Sequence, residues 1–216
     1  MRFTDLDAVL FDFDGVVALS EHLYDDATQQ MARELDIEIP PEFCARMRGQ
    51  SDTLFFDKLM EEFKPDIKRE DLYALGRSIL SETFVSEVRH TPGYLDFLAE
   101  ITGRTLRYGL VTSTPRDLLE QIFEKSDLQD AFPQVVTLDD VVHPKPHPEP
   151  YMTMCRRLDV DQQRALVIED SPAGVQAGLA AGCQVAAITT SSTPESLAAA
   201  HFIVDSFKDL SELLNR

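Results

Sequence analysis

Two carboxylates follow an apolar segment near the start of the sequence, where they could hold a metal cation. The run 8–11 is apolar throughout, as in a parallel strand buried on both faces, and Asp12, Asp14 and Gly15 follow it. Side chains two residues apart in an extended chain point to the same side, so both carboxylates are expected beyond the strand end. Ligands of open α/β sheets bind at that position. Taken alone, the pair also fits an ordinary turn, because Asp and Gly are common turn residues.

Three later segments also carry polar side chains that could do chemistry. Thr112 and Ser113 follow an apolar run and precede a helix start, so their hydroxyls and the free N–H groups of that helix form a candidate anion site. Lys145 stands between prolines, which limit how far its ammonium can move. Glu169 and Asp170 end another apolar run. Each segment alone also fits a structural role, as a helix cap, an exposed loop lysine or acids that complement a helix dipole.

The four acidic residues point to a cation if the strand ends lie side by side. Asp12, Asp14, Glu169 and Asp170 would then crowd one crevice, and each close pair would repel by roughly 1 to 4 kcal/mol. A divalent cation would relieve this repulsion. Because all of these ligands are oxygens, we expect Mg²⁺ rather than Zn²⁺.

Composition and charge restrict the classes of partner. The chain has 216 residues and a formal net charge of −18, which disfavours nucleic acid and anionic membrane surfaces. Its three cysteines are widely spaced and form no CxxC pattern, which indicates reduced thiols. The sequence shows no signal-peptide pattern and no apolar run of about 18 residues. We therefore expect a cytoplasmic protein, a monomer or weak dimer, without a nucleic-acid or membrane partner.

The hydrophobic patterning predicts which elements position these residues. Between 19 and 90 the apolar residues recur at helical spacing, with predicted helices at about 23–35, 43–48, 51–63 and 69–88 and no convincing strand. From residue 91 onwards, short apolar strands alternate with helices, which implies right-handed crossovers and a parallel sheet. We predict an α/β protein with a doubly wound parallel sheet core formed by 1–18 and 91–216. The helical segment 19–90 is inserted after the first strand.

The order of the motifs resembles that of the haloacid dehalogenase superfamily. The sequence carries, in order, Asp-x-Asp-Gly-Val, Thr, Lys-Pro and Glu-Asp-Ser-x-x-Gly. Their spacing and the position of the insert resemble the subfamily that contains phosphoglycolate phosphatase and β-phosphoglucomutase. The resemblance implies a Rossmann-like core with a mobile α-helical cap. It also implies a Mg²⁺-dependent phosphatase that hydrolyses a small phosphorylated metabolite, a sugar phosphate or a phosphoglycolate-like ester, through an aspartyl-phosphate intermediate.

The resemblance also implies a role for each motif residue. Asp12 corresponds to the nucleophile and Asp14 to the general acid and base. Thr112, Ser113 and Lys145 correspond to the residues that bind the transferring phosphoryl group.

The implied Mg²⁺ ligands are the Asp12 carboxylate, the Asp14 backbone carbonyl and Asp170. Glu169 either binds the ion directly or supports its ligands. In the cap, Tyr24 and the loop Arg48, Gly49, Gln50 and Ser51 correspond to substrate-facing positions, although the loop also fits a plain helix-capping turn.

Two alternatives stay open. The first is a phosphomutase like β-phosphoglucomutase, which carries a cap histidine where this sequence has Tyr24 and a basic residue where it has Asp52. The second is a non-catalytic receiver-like module that accepts a phosphoryl group, although such modules are shorter and place the acidic pair and the phosphorylated Asp differently.

Overall fold

A six-stranded parallel sheet forms the centre of the computed structural model, which describes residues 3, 5–47, 52–125 and 132–215. The strand order is β3-β2-β1-β4-β5-β6, and every neighbouring pair is parallel. The strands are β1 (Ala8–Phe11), β2 (Arg107–Val111), β3 (Val135–Val136), β4 (Ala165–Glu169), β5 (Gln184–Ile188) and β6 (Phe202–Val204). The predicted α/β class and parallel sheet are confirmed.

The helices divide between the connections of this sheet and the insert that follows β1. The helices of the insert are α1 (Glu21–Glu34), α2 (Pro41–Met47), α3 (Asp52–Phe63) and α4 (Arg69–Glu87). The helices that follow the insert are α5 (Tyr94–Gly103), α6 (Arg116–Lys125), α7 (Glu149–Leu158), α8 (Pro172–Ala180) and α9 (Phe207–Leu214). Within 5–47 and 52–125 no strand interrupts α1 to α4, as the periodicity predicted.

The first strand lies between β2 and β4, and its register brings three strand ends to one edge. Phe11 is paired with Leu110 on one side and with Ile168 on the other. The residues that follow these strands are therefore neighbours in space, because parallel strands end at the same edge. All four residues of β1 are fully buried, which explains why this segment is apolar without alternation.

The core lies on both faces of the sheet because successive side chains of β1 point to opposite sides. Val9 and Phe11 belong to a cluster shared with α5, α9 and the insert, whereas Ala8 and Leu10 belong to a cluster shared with α7 and α8. The Phe11 ring meets Tyr94 edge to face, with centroids 5.5 Å apart. Full burial of such a side chain contributes about 2 to 3 kcal/mol.

The two segments that connect the insert to the sheet run side by side and are hydrogen-bonded to each other. Leu19 N donates to Arg89 O at 2.8 Å, and Thr91 N donates to Val17 O at 3.0 Å. Helix α4 also packs on α6, where Ser81 Oγ donates to Gln121 Oε1 at 2.8 Å. That 19–90 acts as a mobile domain separate from 1–18 and 91–216 remains a prediction.

The element ends differ slightly from the predicted ones. Helix α1 begins at Glu21 rather than near residue 23, and α2 begins at Pro41 rather than near residue 43. Strand β2 ends at Val111, although Thr112 N still donates to Val136 O at 2.9 Å. Helix α8 begins at Pro172, because the Ser171 side chain accepts from Gly174 N and caps it. Among the helices of the described part of the chain, none is long and apolar enough to span a membrane.

Candidate active site

The ends of β1 and β4 and the proline-rich loop bring a lysine between two carboxylates. Lys145 Nζ donates to Asp12 Oδ1 at 2.6 Å and to Glu169 Oε1 at 2.7 Å. It also donates to the Val111 carbonyl at 3.1 Å, so the ammonium spans three strand ends. Asp12, Lys145 and Glu169 are all buried. The structure thus assembles residues that lie as many as 157 positions apart in the sequence.

Burial and charge act in opposite directions on this cluster. Burial raises the pKa of Asp12 well above its ordinary value, the Glu169 carboxylate raises it further, and Lys145 opposes both. Burial alone would lower the pKa of Lys145, but the Asp12 and Glu169 carboxylates raise it above its ordinary value. The two carboxylates therefore favour the charged form of Lys145 and oppose the effect of its burial.

The Glu169 side chain is held by several donors of the protein. Its Oε1 accepts from Tyr151 Oη at 2.6 Å as well as from Lys145. Its Oε2 accepts from Ser171 Oγ at 3.0 Å and from the backbone N–H groups of Asp170 and Ser171 at 3.2 and 3.3 Å. A Cβ at Gly174 would lie 1.8 Å from the Glu169 carboxylate, so this glycine makes room for it. These contacts orient the carboxylate toward Lys145.

Asp170 lies against the turn that follows β1. Ser191 Oγ donates to Asp170 Oδ2. A Cβ at Gly15 would lie 1.7 Å from the same oxygen, and Gly15 has a φ of +71°. Both the close approach and the left-handed backbone require glycine at this position.

The carboxylates fit a divalent cation. One oxygen each of Asp12, Glu169 and Asp170 lies within 4.8 Å of the other two. All three residues are buried, and Lys145 supplies only one positive charge to them, which leaves an excess of two negative charges when all are ionised. An ion with oxygen ligands and a charge of +2 compensates this excess.

Asp14 belongs to the same site but has different partners from Asp12. The chain already turns after Asp12, and the Asp14 carboxylate accepts from Ser20 Oγ at 2.5 Å, from Thr114 Oγ1 at 3.2 Å and from Tyr24 Oη at 3.4 Å. Burial raises the pKa of Asp14, and the hydrogen bonds from Ser20 and Thr114 oppose that rise. A carboxyl of this kind can hold a proton at a higher pH than an exposed one.

The two predicted phosphate-binding hydroxyls differ in their surroundings: Thr112 is buried, and Ser113 lines the cavity. Thr112 is buried, and its Oγ1 accepts from Thr114 N at 2.9 Å, which shapes the start of the loop before α6. Ser113 and Thr114 line the cavity beside Lys145. Binding of a phosphoryl group by Thr112 or Ser113 remains a prediction.

A cavity of about 100 Å³ separates these groups from the insert. The insert lines it with Tyr24, Asp25, Ala27, Thr28 and Met31 of α1, Cys44 and Met47 of α2, Phe55 and Phe56 of α3, and Gly76 and Leu80 of α4. Most of this wall is apolar, and a Cβ at Gly76 would lie 2.4 Å from the Phe56 ring, so the glycine lets that ring pack closely. Tyr24 lines the cavity, and its predicted contact with the substrate remains a prediction. The predicted loop Arg48, Gly49, Gln50 and Ser51 lies outside the described residues.

The sequence reasoning missed several polar residues that hold the charged groups. They are Ser20, which contacts Asp14; Tyr151, which contacts Glu169; and Ser191, which contacts Asp170. Tyr151 lies on α7, six residues after Lys145, and this nearness to the lysine was the one signal that could have found it. Ser191 follows β5, and no spacing in the sequence singles it out.

Comparison with known proteins agrees with this fold. The model of the haloacid dehalogenase-like hydrolase family matches residues 9–188, which include every motif described above. The chain therefore belongs to the haloacid dehalogenase-like hydrolase family, and the predicted family is confirmed.

Individual relatives place the chain within that family. It is 29% identical to a phosphorylated carbohydrates phosphatase of Thermotoga maritima, over 83% of each chain. It is 26% identical to a phosphoglycolate phosphatase of Shigella boydii, over 87% of this chain and 83% of that one. The crystal structure of a putative β-phosphoglucomutase from Thermotoga maritima superposes with a TM-score of 0.76 at 27% identity, over 97% of each chain. These similarities agree with the predicted subfamily.

Proposed function

We propose that this phosphatase of the haloacid dehalogenase-like family hydrolyses a small phosphomonoester whose leaving group is uncharged, such as a sugar phosphate, with Mg²⁺ as its cofactor. The single observation that carries the proposal is the buried cluster of Asp12, Lys145, Glu169 and Asp170 at the floor of the cavity. It joins a nucleophile, a fixed cation and oxygen ligands for a divalent ion.

Asp12 acts as the nucleophile. Its free carboxylate oxygen attacks the phosphorus atom in line with the departing ester oxygen, which gives an aspartyl phosphate and releases the alcohol. Lys145 fixes Asp12 from one side and neutralises charge on the phosphoryl oxygens. The Asp12 carboxylate, the Asp14 carbonyl and Asp170 would hold Mg²⁺, which supplies further neutralisation of those oxygens when it is bound.

Asp14 moves the proton. With its raised pKa it donates a proton to the departing oxygen in the first step. As a carboxylate it then takes a proton from the water that hydrolyses the aspartyl phosphate. The hydroxyls of Ser20, Thr114 and Tyr24 hold the carboxyl in place for both steps.

The cavity wall supports an uncharged leaving group. Apolar side chains of Met31, Phe55 and Leu80 line it, together with the Asp25 carboxylate. Apolar surface favours the carbon skeleton of the leaving group, and a carboxylate repels a second negative charge. Among the named substrates of the relatives, phosphorylated carbohydrates fit this wall better than phosphoglycolate.

The test is a panel of phosphomonoesters assayed with and without Mg²⁺, with p-nitrophenyl phosphate as the general probe. We expect release of inorganic phosphate that requires Mg²⁺ and that favours sugar phosphates. Conversion of β-glucose 1-phosphate to glucose 6-phosphate without phosphate release would instead support the mutase alternative.

Replacement of the nucleophile tests the mechanism directly. Asp12→Asn should fold and lower turnover by at least about 10³-fold, because the amide cannot form the acyl phosphate. Asp26→Asn, at an exposed position on α1, is the control and should keep full activity. Turnover by Asp12→Asn close to that of the wild type would eliminate Asp12 as the nucleophile.

A further inference from the structure

The loop that carries Lys145 holds a second cluster of metal-ligating side chains, outside the active site. His143, His147 and Glu149 each place one ligand atom within 4.8 Å of the other two. The side chains of His143 and His147 are 61% and 50% exposed, whereas that of Lys145 between them is 2% exposed. The loop therefore presents its lysine to the active site and its histidines to solvent, where ions have free access.

The distances within the cluster suit a small metal ion with nitrogen and oxygen ligands. Glu149 Oε2 lies 2.9 Å from His143 Nδ1 and 4.0 Å from His147 Nδ1. Ligands about 2.0 to 2.1 Å from a tetrahedral zinc ion are about 3.3 Å apart, a value between these two distances. The two imidazole rings lie side by side, with centroids 4.6 Å apart. Small rotations of the side chains would therefore bring all three ligand atoms to bonding distance.

The backbone holds the cluster in place before any ion binds. Val142 N and His143 N donate to the two Glu149 oxygens at 2.9 and 3.0 Å, so the carboxylate is fixed across the loop. His147 N donates to Pro144 O at 2.9 Å and closes a turn between the two histidines. Prolines at 144, 146 and 148 restrict the backbone further. A site that is ordered in advance loses less entropy when it binds an ion.

Two existing contacts would be replaced on binding. The first is the hydrogen bond between His143 Nδ1 and Glu149 Oε2 at 2.9 Å: a carboxylate only accepts, so His143 Nδ1 must lose its proton before it binds an ion. The second involves His147. Glu149 N donates to His147 Nδ1 at 3.2 Å, at the long end of the hydrogen-bond range. The nitrogen that accepts this bond carries no proton, which is the form of imidazole that binds metals.

We infer that His143, His147 and Glu149 form a binding site for a divalent transition-metal ion of the Zn²⁺ class, with water completing its coordination. Two imidazoles and one carboxylate are typical zinc ligands, whereas Mg²⁺ takes oxygen ligands. The protein thus has two cation sites of different chemistry, one on each side of the loop that carries Lys145.

The experiment is a calorimetric titration of Zn²⁺ into the full chain in a buffer with saturating Mg²⁺, which occupies the oxygen-ligand site. We expect the wild type to bind Zn²⁺ and the double variant His143→Asn, His147→Asn to bind it at least about tenfold more weakly, because ligands are lost. His22→Asn, at an exposed histidine of α1, is the matched control and should bind like the wild type. The substituted side chains are exposed, so the variants should keep the circular dichroism spectrum of the wild type.

Three results would overturn the inference. The wild type could take up no Zn²⁺ under these conditions, or the double variant could bind as tightly as the wild type. Binding that is lost in Asp170→Asn but kept in the double histidine variant would place the ion in the active site instead.

The visible absorption of bound Co²⁺ is a second readout, and its nitrogen-ligand bands should disappear in the double variant. The inference does not depend on the proposed phosphatase activity, since it is tested by binding alone.

Discussion

At the scale of single residues, the active site depends on buried charges that compensate one another. Lys145 contacts Asp12 and Glu169, and both carboxylates raise the pKa of Lys145. Removing one partner of such a cluster leaves the others without compensation, which costs more than an exposed ion pair contributes. Hydroxyl groups that donate to Asp14 and Glu169 also stabilise the charged forms of these carboxylates.

The Ser20 hydroxyl should control the pH range of activity. Its hydrogen bond stabilises the Asp14 carboxylate and opposes the effect of burial on the pKa of Asp14. In Ser20→Ala this opposition is lost, so the pKa of Asp14 rises further. Because the first step needs protonated Asp14, the alkaline limb of the kcat profile should move to higher pH. The control is Ser196→Ala, at an exposed serine far along the chain. If the alkaline limb of Ser20→Ala were unchanged or moved to lower pH, this would contradict the proposed role of Asp14.

Tyr151 should act by positioning Glu169. The phenol is fully buried and donates to Glu169 Oε1 at 2.6 Å. Tyr151→Phe leaves that charged oxygen with one donor fewer, and the free energy of unfolding should fall by about 1.5 to 3 kcal/mol. Denaturant unfolding of this variant and of the wild type measures the difference. Equal stability of Tyr151→Phe and the wild type would show that the hydrogen bond contributes nothing.

At the scale of elements, two parts of the chain form the site: the strand ends supply the reacting groups and the insert supplies the opposite wall. The strand ends are fixed by the register of β1 with β2 and β4. The wall depends on how α1 to α4 pack, for example on the contact of the Phe56 ring with Gly76. In the proposed function the reacting groups come from the strand ends and most of the selectivity from the insert, although Ser20 and Tyr24 of the insert also contact Asp14.

Asp25 on α1 should set the preference for uncharged leaving groups. It lines the cavity, whereas its neighbour Asp26 is exposed. Asp25→Asn removes one negative charge, so kcat/KM for 3-phosphoglycerate should rise relative to glycerol 3-phosphate by about three- to tenfold, on the order of 1 kcal/mol.

The two substrates of this comparison differ only by a carboxylate in place of a hydroxymethyl group. Asp26→Asn should leave their ratio unchanged. A wild type that prefers 3-phosphoglycerate would refute the proposed substrate class while leaving the phosphatase activity intact. Loss of activity toward every ester would instead count against the proposed function.

At the scale of the whole molecule, connections between distant elements hold the sheet edge together. Asp140 accepts from Thr137 N at 2.8 Å and from Arg116 and Arg157 at 2.6 and 2.7 Å, and so joins α6, α7 and the segment after β3. Burial alone would raise the pKa of Asp140, but the hydrogen bonds from Thr137 and Arg157 lower it to about 2. The ionised form of Asp140 therefore stabilises the fold.

This stabilisation should depend on pH in a defined direction. Because the pKa of Asp140 is lower in the folded chain than in the unfolded one, its contribution is complete above about pH 5 and is lost as the pH falls toward 2. Asp140→Asn should lower the free energy of unfolding by about 2 kcal/mol at pH 7 and by about half as much at pH 3. Denaturant unfolding at both pH values measures the difference, with the exposed Asp66→Asn as the control. A penalty that is equal at both pH values would rule out this linkage.

The sequence by itself determined the parallel sheet, the helical insert and the motif residues. Short segments decide these features: an uninterrupted apolar run such as 8–11 requires burial on both faces, and apolar residues at helical spacing require a helix. The order of the motifs was enough to identify the family, which the family match confirmed.

Only the tertiary structure decided which side chains share a contact. The partners of Asp14, Glu169 and Asp170 include Ser20, Tyr151 and Ser191, which come from a loop, a helix and a later strand end. Nothing local in the sequence marks such residues, because their positions follow from how the helices pack on the sheet. The same is true of the outward-facing histidines beside Lys145, because the surrounding prolines mark the loop as rigid but do not indicate which side chains face solvent. Local patterns specify elements, whereas the packing of those elements selects the groups that meet.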